Sequence, residues 1–312
     1  MNLTAAGNID IYGLGALTID EAQTSAGSIK IQAEGSITAI NLQTPDEISI
    51  QNTSGDIEID HIQSDKTISI IANQGAILEH GNDTDTDINA PELIYLRATS
   101  GIKDTTDTFI EIGPNSIIDA YVSGTGDVGL QGTGPLTINK MQTTDGAIDL
   151  KSTSHVLMHD IISEGAENDH INIYTSSGNI TFNQIISAED VSLITEYGSI
   201  INARTTKPAI DIDTDDHITL IASKNIGSYP YLTVAAGSEI VAKSTDEGSI
   251  SIKTPGDITL QSLETTDGNI TVTADGNIQA LNIKTGDRGD NESLTLSIVS
   301  KGIVETGIIQ AD

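Results

Sequence analysis

Residues 27–64 read GSIKIQAEGSITAINLQTPDEISIQNTSGDIEIDHIQS, and one short pattern recurs in them. It consists of a glycine, a variable residue and two apolar residues separated by a polar one, as in GSIKI from Gly27 and GDIEI from Gly55. Alternation of apolar and polar residues is typical of a β-strand with one buried face. The glycine provides the backbone freedom for a sharp corner before each strand.

The same pattern extends through the chain with a spacing of 19 or 20 residues. One series of apolar positions is Ile9, Ile29, Ile48 and Ile68, and an offset series is Leu17, Ile37, Ile57 and Ile77. A third series places an apolar residue two positions before Ser or Thr, at Ala22, Leu42, Ile62, Met141, Ile161, Ile185, Leu263 and Ile283. One period therefore contains three short strands and three corners, which is one coil of a β-helix.

We predict an all-β fold, a right-handed parallel β-helix (solenoid) of about 15 coils, each of about 20 residues with three short strands. The right hand follows from the general preference of parallel crossover connections. A narrow interior agrees with the small share of aromatic residues, 3%, and the absence of Trp. Stacked Ser and Thr at the third corner are expected to form hydroxyl ladders.

A longer repeat is superimposed on the short one. DVGLQGTGPLTINKMQTTDGAIDL (127–150) aligns without gaps on SISIKTPGDITLQSLETTDGNITV (249–272), and ISIIANQGAI (68–77) matches VSLITEYGSI (191–200). We predict a single continuous β-helix over residues 1–312, with long repeats at approximately 1–102, 103–226 and 227–312. Both ends interrupt the repeat, so we expect a fragment of a longer chain.

The charge of the chain restricts its partners. The formal net charge is −31, from 45 acidic and 14 basic residues. Such a surface repels phosphate backbones and anionic lipids, so we expect no nucleic-acid partner and no membrane-surface partner. No apolar stretch has the length that membrane insertion requires. The absence of cysteine excludes disulfides and thiolate metal sites.

Several motifs together resemble one protein family. They are the tandem G-[DNS]-I-x-[ILV] strands, the TTDG corners at 143–146 and 265–268, and the segments ATSGI (98–102) and SKNIG (223–227). Over nearly its whole length the chain resembles the filamentous-haemagglutinin-like large repetitive adhesins of Gram-negative bacteria, many of them exported by two-partner secretion. The resemblance implies a secreted or cell-surface rod that attaches to glycans or proteins of host or bacterial surfaces. It also implies a secretion domain outside this sequence.

Acidic residues provide one candidate metal site. Asp83, Asp85 and Asp87 alternate in NDTDTDI and would share one face of an extended segment, where backbone oxygens could complete a calcium site. DTDD at 213–216 is a second acidic cluster. We favour solvated loops for both, because calcium needs six or more converging oxygens. We therefore assign no metal, cofactor-binding or catalytic residue.

The histidines are not expected to form a metal site. His155 and His159 would lie roughly 13 Å apart on a strand, too far for one ion. The other four are scattered, at His61, His80, His170 and His217. We interpret all six as solvated or corner residues.

The main enzymatic alternative is a β-helix that degrades polysaccharides. An inverting hydrolase needs two carboxyl groups roughly 6.5–9.5 Å apart, and a strongly acidic solenoid supplies such pairs by chance. Arg is scarce, Trp is absent, and the largest candidate loops are 79–92 and 103–116. We therefore expect that the chain is not an enzyme.

Two alternatives concern binding. Tyrosines could form an exposed contact patch or simply pack at corners; they are Tyr95, Tyr121, Tyr174, Tyr197, Tyr229 and Tyr231, the last two within YPYL at 229–232. Open coil ends could also stack, which would make the protein a structural filament or matrix component through end-to-end self-association.

Overall fold

The computed structural model describes residues 1–81, 83–103, 109–165, 169–204, 210–227, 231–286 and 295–311. The fold is an all-β parallel β-solenoid of about 13 turns, which confirms the predicted fold class. The right-handed sense stays a prediction. Within the ranges described, the chain has no helix, and therefore no helix long and apolar enough to cross a membrane.

The chain has fewer turns than predicted because some turns are longer than the basic repeat. Ile62 pairs with Ile88, which follows it by 26 positions, and Ile88 pairs with Ile112, which follows by 24. The ordinary step is 20 positions, as between Ile9 and Ile29. The extra residues lie in the segments between Glu79 and Ile88 and between Asn89 and Ile110.

By its contacts the chain forms two compact units, of which unit 1 comprises Met1–Thr153 and Ser163–Gly165. One parallel sheet has the order β1-β3-β5-β7-β10-β12-β14-β16, and the other has β2-β4-β6-β8-β11-β13-β15. The strands are β1 Asn2–Ala5, β2 Ile9–Gly13, β3 Leu17–Thr24, β4 Ile29–Ala33, β5 Ile37–Thr44, β6 Ile48–Asn52, β7 Ile57–Ser64, β8 Ile68–Ala72, β9 Ile77–Glu79, β10 Ile88–Asn89, β11 Leu93–Ala98, β12 Ile110–Ile112, β13 Ile117–Thr125, β14 Val128–Gly132, β15 Leu136–Asp145 and β16 Ile148–Ser152.

Unit 2 comprises Ser154–Ile162 and Ala166–Asp312. Its parallel orders are β18-β20-β23-β25-β27-β29-β31, β17-β19-β21 and β24-β26-β28-β30, and β22 pairs with β19. The strands are β17 Val156–Ser163, β18 Ile171–Thr175, β19 Ile180–Ser187, β20 Val191–Thr195, β21 Ile200–Asn202, β22 Ile212–Asp213, β23 His217–Ala222, β24 Leu232–Thr233, β25 Glu239–Glu247, β26 Ile250–Thr254, β27 Ile258–Asp267, β28 Ile270–Ala274, β29 Ile278–Thr285, β30 Leu296–Ser300 and β31 Val304–Ala311.

The register of the sheets confirms the series read from the sequence. Neighbouring coils pair Ile9, Ile29, Ile48 and Ile68 in one column, and Leu17, Ile37, Ile57 and Ile77 in another. The third series begins as the column Ala22, Leu42 and Ile62. Apart from Leu17, all these side chains are buried, so the columns form the core. Burial of each isoleucine stabilises the fold by about 1.5–3 kcal/mol.

In many coils the three expected short strands are two strands in the structure, although β9 and β10, and likewise β21 and β22, remain separate. The second and third predicted strands join into one of eight residues, as in β3, β5 and β7. In β7 the buried positions are Ile57, Ile59, Ile62 and Ser64. Buried residues are two positions apart along β7 except after Ile59, where the next buried residue is three positions away. The predicted corner therefore lies inside a continuous strand.

Corners of successive coils lie in very close contact. A Cβ atom on Gly75 would lie 2.1 Å from the carbonyl oxygen of Gly55, so only glycine fits there. The residue after the corner glycine adds a bond between coils, since Oδ1 of Asp56 accepts the N–H of Ala76 at 2.8 Å. The G-[DN] pair of the repeat therefore has two structural roles, one steric and one in hydrogen bonding.

At the third corner, the hydroxyls of Thr44 and Ser64 bond to the backbone rather than to each other. Thr44 and Ser64 are buried, and their hydroxyls donate to the backbone carbonyls of Gly27 and Asp46 in the preceding coil. Each hydroxyl also accepts a backbone N–H two residues further on. Because the backbone at this corner presents both groups at short range, backbone bonds replace hydroxyl-to-hydroxyl contacts.

Candidate functional site

Three carboxylates converge in unit 1, and we call Glu79, Asp87 and Glu111 the acidic triad. Glu79 ends β9, Asp87 precedes β10, and Glu111 is the middle residue of β12. One carboxylate oxygen from each of the three lies within 4.8 Å of the others. The side chains are only 5%, 2% and 5% exposed, respectively. Three buried acids in one place are unusual, because ionised groups are costly to remove from water.

Hydrogen bonds hold the triad in place. Oδ2 of Asp87 accepts the backbone N–H of Glu111 at 2.7 Å, and the backbone N–H of Asp87 donates to the carbonyl of Glu111 at 3.0 Å. Oε1 of Glu79 accepts the N–H of Asp83 at 3.2 Å, and Gln131 donates to Oε1 of Glu111 at 3.4 Å. Oε2 of Glu111 is buried and has no hydrogen-bond partner among the described residues.

Electrostatics disfavour the ionised triad. Burial raises the pKa of Asp87 to about 9, and the neighbouring charge of Glu79 adds to the effect. Burial also raises the pKa of Glu111, again with a contribution from Glu79. At neutral pH the carboxylates therefore need a compensating positive charge, either protons or a cation.

Unit 2 has the same backbone arrangement with different side chains. Asp211 takes the place of Asp87: its Oδ2 accepts the N–H of Thr233 at 2.8 Å, and its own N–H donates to the Thr233 carbonyl at 2.8 Å. Asn202 stands where unit 1 has Glu79, and its amide donates to Oδ2 of Asp211 at 2.6 Å. An amide and a hydroxyl residue thus replace two of the three carboxylates.

The structure does not bring together Asp83, Asp85 and Asp87, the three residues weighed in the sequence as a calcium site and interpreted there as a solvated loop. Asp83 and Asp85 are exposed whereas Asp87 is buried, so the three do not share a face. Oδ1 of Asp83 accepts the N–H of Asp85 at 2.8 Å, which curls the loop instead of extending it. Sequence reasoning therefore identified Asp87 but missed Glu79 and Glu111. Alignment of the long repeats at Asp87 and Asp211 was the one signal that could have drawn attention to this position.

The second acidic segment, DTDD at 213–216, contributes to an exposed cluster. Nδ1 of His217 lies 2.6 Å from Asp216 and 3.3 Å from Asp190, and Nε2 lies 3.3 Å from Glu239. Partial burial lowers the pKa of His217, but the hydrogen bond to Asp216 and the three negative charges outweigh it and raise the pKa overall. The cluster is an exposed ion-pair network.

The remaining histidines stay apart from this cluster. His61, His80 and His155 are exposed, and His80 pairs with Glu58 at 3.0 Å. None of them, nor His159 or His170, belongs to a group of three converging ligands within the described ranges.

Two of the predicted tyrosines line a shallow groove on unit 1. Tyr95 pairs in register with Asp119, and Tyr121 pairs with Gln142 on the next strand. Lys140 completes the lining. We call Tyr95, Asp119, Tyr121, Lys140 and Gln142 the tyrosine groove. Oδ1 of Asp119 is buried, and no described residue hydrogen-bonds to it.

The other tyrosines are separated from the groove. Tyr174 donates to Glu196 at 2.7 Å, Tyr197 is 71% exposed, and Tyr231 lies under Lys253 at 4.8 Å. Tyr229 and Pro230 lie outside the described residues, as do parts of the loops 79–92 and 103–116.

Comparisons of the chain with models of protein families, with curated protein sequences and with solved structures found no match.

Proposed function

We propose that the chain is a shaft segment of an exported bacterial surface adhesin. It would present binding surface outside the cell for attachment to glycans or proteins, with no enzymatic activity. The observation that carries the proposal is the regular solenoid itself. Each coil repeats the same inward isoleucines and leaves the outer wall to variable polar residues, an arrangement suited to many weak contacts.

The tyrosine groove is the surface we assign to contact. It offers two aromatic rings beside a carboxylate, an ammonium group and an amide. Aromatic faces cover the apolar side of a sugar ring, while the polar groups hydrogen-bond its hydroxyls. The same chemistry would also accept an exposed protein loop.

Three properties support an extracellular, non-catalytic protein. The chain lacks cysteine, and its net charge of −31 favours solubility in a saline medium. The acidic triad is at most 5% exposed, so it offers no open carboxylate pair to a polysaccharide.

A glycan array and a cell-binding assay with the purified chain test the proposal. We expect binding that Tyr95→Ser and Tyr121→Ser each weaken at least tenfold. Tyr174→Ser is the matched control, because it removes a half-buried tyrosine outside the groove. Absence of any binding, or release of reducing sugars from acidic glycans, would contradict the proposal.

A structural filament is a second candidate, favoured by one observation. In β31, Ile308 and Ile309 are 60% and 43% exposed. A second copy of the chain could cover these side chains. Sedimentation velocity of the wild type and of Ile308→Asn distinguishes the two functions: long polymers that the substitution disperses would favour the filament.

A further inference from the structure

The acidic triad places three carboxylates in one buried position. Glu79, Asp87 and Glu111 are each at least 95% buried, and the oxygens that converge are within 4.8 Å of one another. Two oxygens bound to one calcium ion at about 2.4 Å lie at most about 4.8 Å apart. The triad therefore has the dimensions of a single coordination shell.

One oxygen of the triad lacks a partner in the described structure. With the three acids ionised, Oε2 of Glu111 is buried and meets no hydrogen-bond donor among the described residues; a proton shared with Asp87 is the alternative to an ion. An unsatisfied buried acceptor is unfavourable by about 1–3 kcal/mol, and by more when it is charged. The alternation of β12 directs Glu111 away from the core residues Ile110 and Ile112, toward the side where the loop carrying Asp83 contacts Glu79.

Unit 2 has the same backbone hydrogen bonds with an amide donor beside its aspartate. There the Asn202 amide donates directly to Asp211, and Thr233 replaces the third carboxylate. In unit 1 the residue in the Asn202 position is an acid, which cannot donate when ionised. A cation would stabilise the carboxylates of unit 1, where unit 2 has the N–H donors of Asn202 and Thr233 against Asp211.

We propose that Glu79, Asp87 and Glu111 form a binding site for a divalent cation, and that calcium is the ion it takes. All the ligand atoms are carboxylate oxygens, the donors of hard cations, and the site contains no imidazole or thiolate. Calcium accepts irregular shells of six to eight oxygens, whereas magnesium demands near-octahedral geometry and retains several waters.

Calorimetric titration of the EDTA-treated full chain with calcium chloride tests the proposal, together with thermal unfolding in calcium and in EDTA. We expect one ion to bind at this site and the Tm to rise by several degrees in calcium. The double variant Glu79→Asn/Glu111→Thr copies unit 2, and its Tm should not respond to calcium. Asp216→Asn, which removes a carboxylate from the exposed cluster, should bind like the wild type.

Glu111→Gln provides a second test if the double variant does not fold, and its affinity for calcium should fall at least tenfold. Unchanged wild-type Tm in calcium and EDTA, with no heat of binding, would overturn the proposal and leave shared protons as the compensating charge. Full calcium binding by both variants would place the ion elsewhere. Tighter binding of magnesium at equal concentration would overturn the choice of calcium.

Discussion

The turn around Asp87 in unit 1 and the turn around Asp211 in unit 2 share their backbone hydrogen bonds and differ in charge. Each aspartate accepts a backbone N–H from the next coil. Asp87 accepts that of Glu111 at 2.7 Å, and Asp211 accepts that of Thr233 at 2.8 Å. In unit 2 an asparagine amide donates a hydrogen bond to the buried acid, whereas unit 1 has two further carboxylates. The solenoid backbone thus accepts either one buried carboxylate with amide and hydroxyl neighbours or three carboxylates. Local chemistry at an equivalent position can therefore change without any change in the coil.

The largest expected effect comes from making unit 2 acidic. Asn202→Glu places a second buried carboxylate beside Asp211 and removes its donor. We expect the free energy of unfolding in EDTA to fall by about 3–5 kcal/mol, because an uncompensated buried charge is strongly destabilising. Urea denaturation compares the unfolding free energies of Asn202→Glu and Asn202→Gln. Because Gln has the shape of Glu without its charge, the difference measures the effect of the charge. Equal stability of these two variants would mean that the comparison does not depend on charge.

The next effect tests whether the two units are otherwise equivalent. A Cβ atom added at Gly75 would lie 2.1 Å from the carbonyl oxygen of Gly55. One added at Gly198 would lie 2.0 Å from the carbonyl oxygen of Gly178. Gly75→Ala and Gly198→Ala should each destabilise the protein by about 3 kcal/mol, since the backbone must shift to relieve the clash. Alanine at Gly7, which has open space, is the control. A large difference between the first two variants would show that the corners are not equivalent.

A smaller effect of opposite sign is expected in unit 1. Glu111→Gln removes one negative charge from the acidic triad, so in EDTA it should stabilise the chain by about 2 kcal/mol. In saturating calcium the same substitution should destabilise it. Chemical denaturation under the two conditions measures both values. A change in unfolding free energy of the same sign in EDTA and in calcium would argue against an ion at the triad.

The smallest effect concerns the exposed cluster. The pKa of His217 is raised in the fold, so its pairing with Asp190, Asp216 and Glu239 stabilises the protein below the unfolded pKa of about 6.5 and is lost as pH rises through the folded pKa. Solvent screening limits the effect to about 0.5 kcal/mol. His217→Gln should therefore lower the Tm slightly at pH 5.5 and not at pH 9. An equal loss at both pH values would indicate a packing role.

The strands and their register were predictable because their causes are local. The alternation of Ile29, Lys30 and Ile31 selects a half-buried strand, and the recurring corner glycine sets the period. The coils can then stack in register, because each coil presents the same backbone edge to the next coil. The merging of two predicted strands in β7 was not visible in the sequence, because a bend of one residue leaves the hydrogen bonding continuous.

The acidic triad was not predictable in the same way. Glu111 lies between two isoleucines and reads as an ordinary outward polar residue, and Glu79 reads as the end of a strand. Both are buried in the fold, and Glu79 also accepts the N–H of Asp83 from the segment that follows β9. Sequence alone therefore determined the parallel solenoid and its columns, since those follow from a two-residue alternation and a steric requirement for glycine. The meeting of Glu79, Asp87 and Glu111 was set by the tertiary structure, because it joins residues 32 positions apart through loop packing that no periodic pattern encodes.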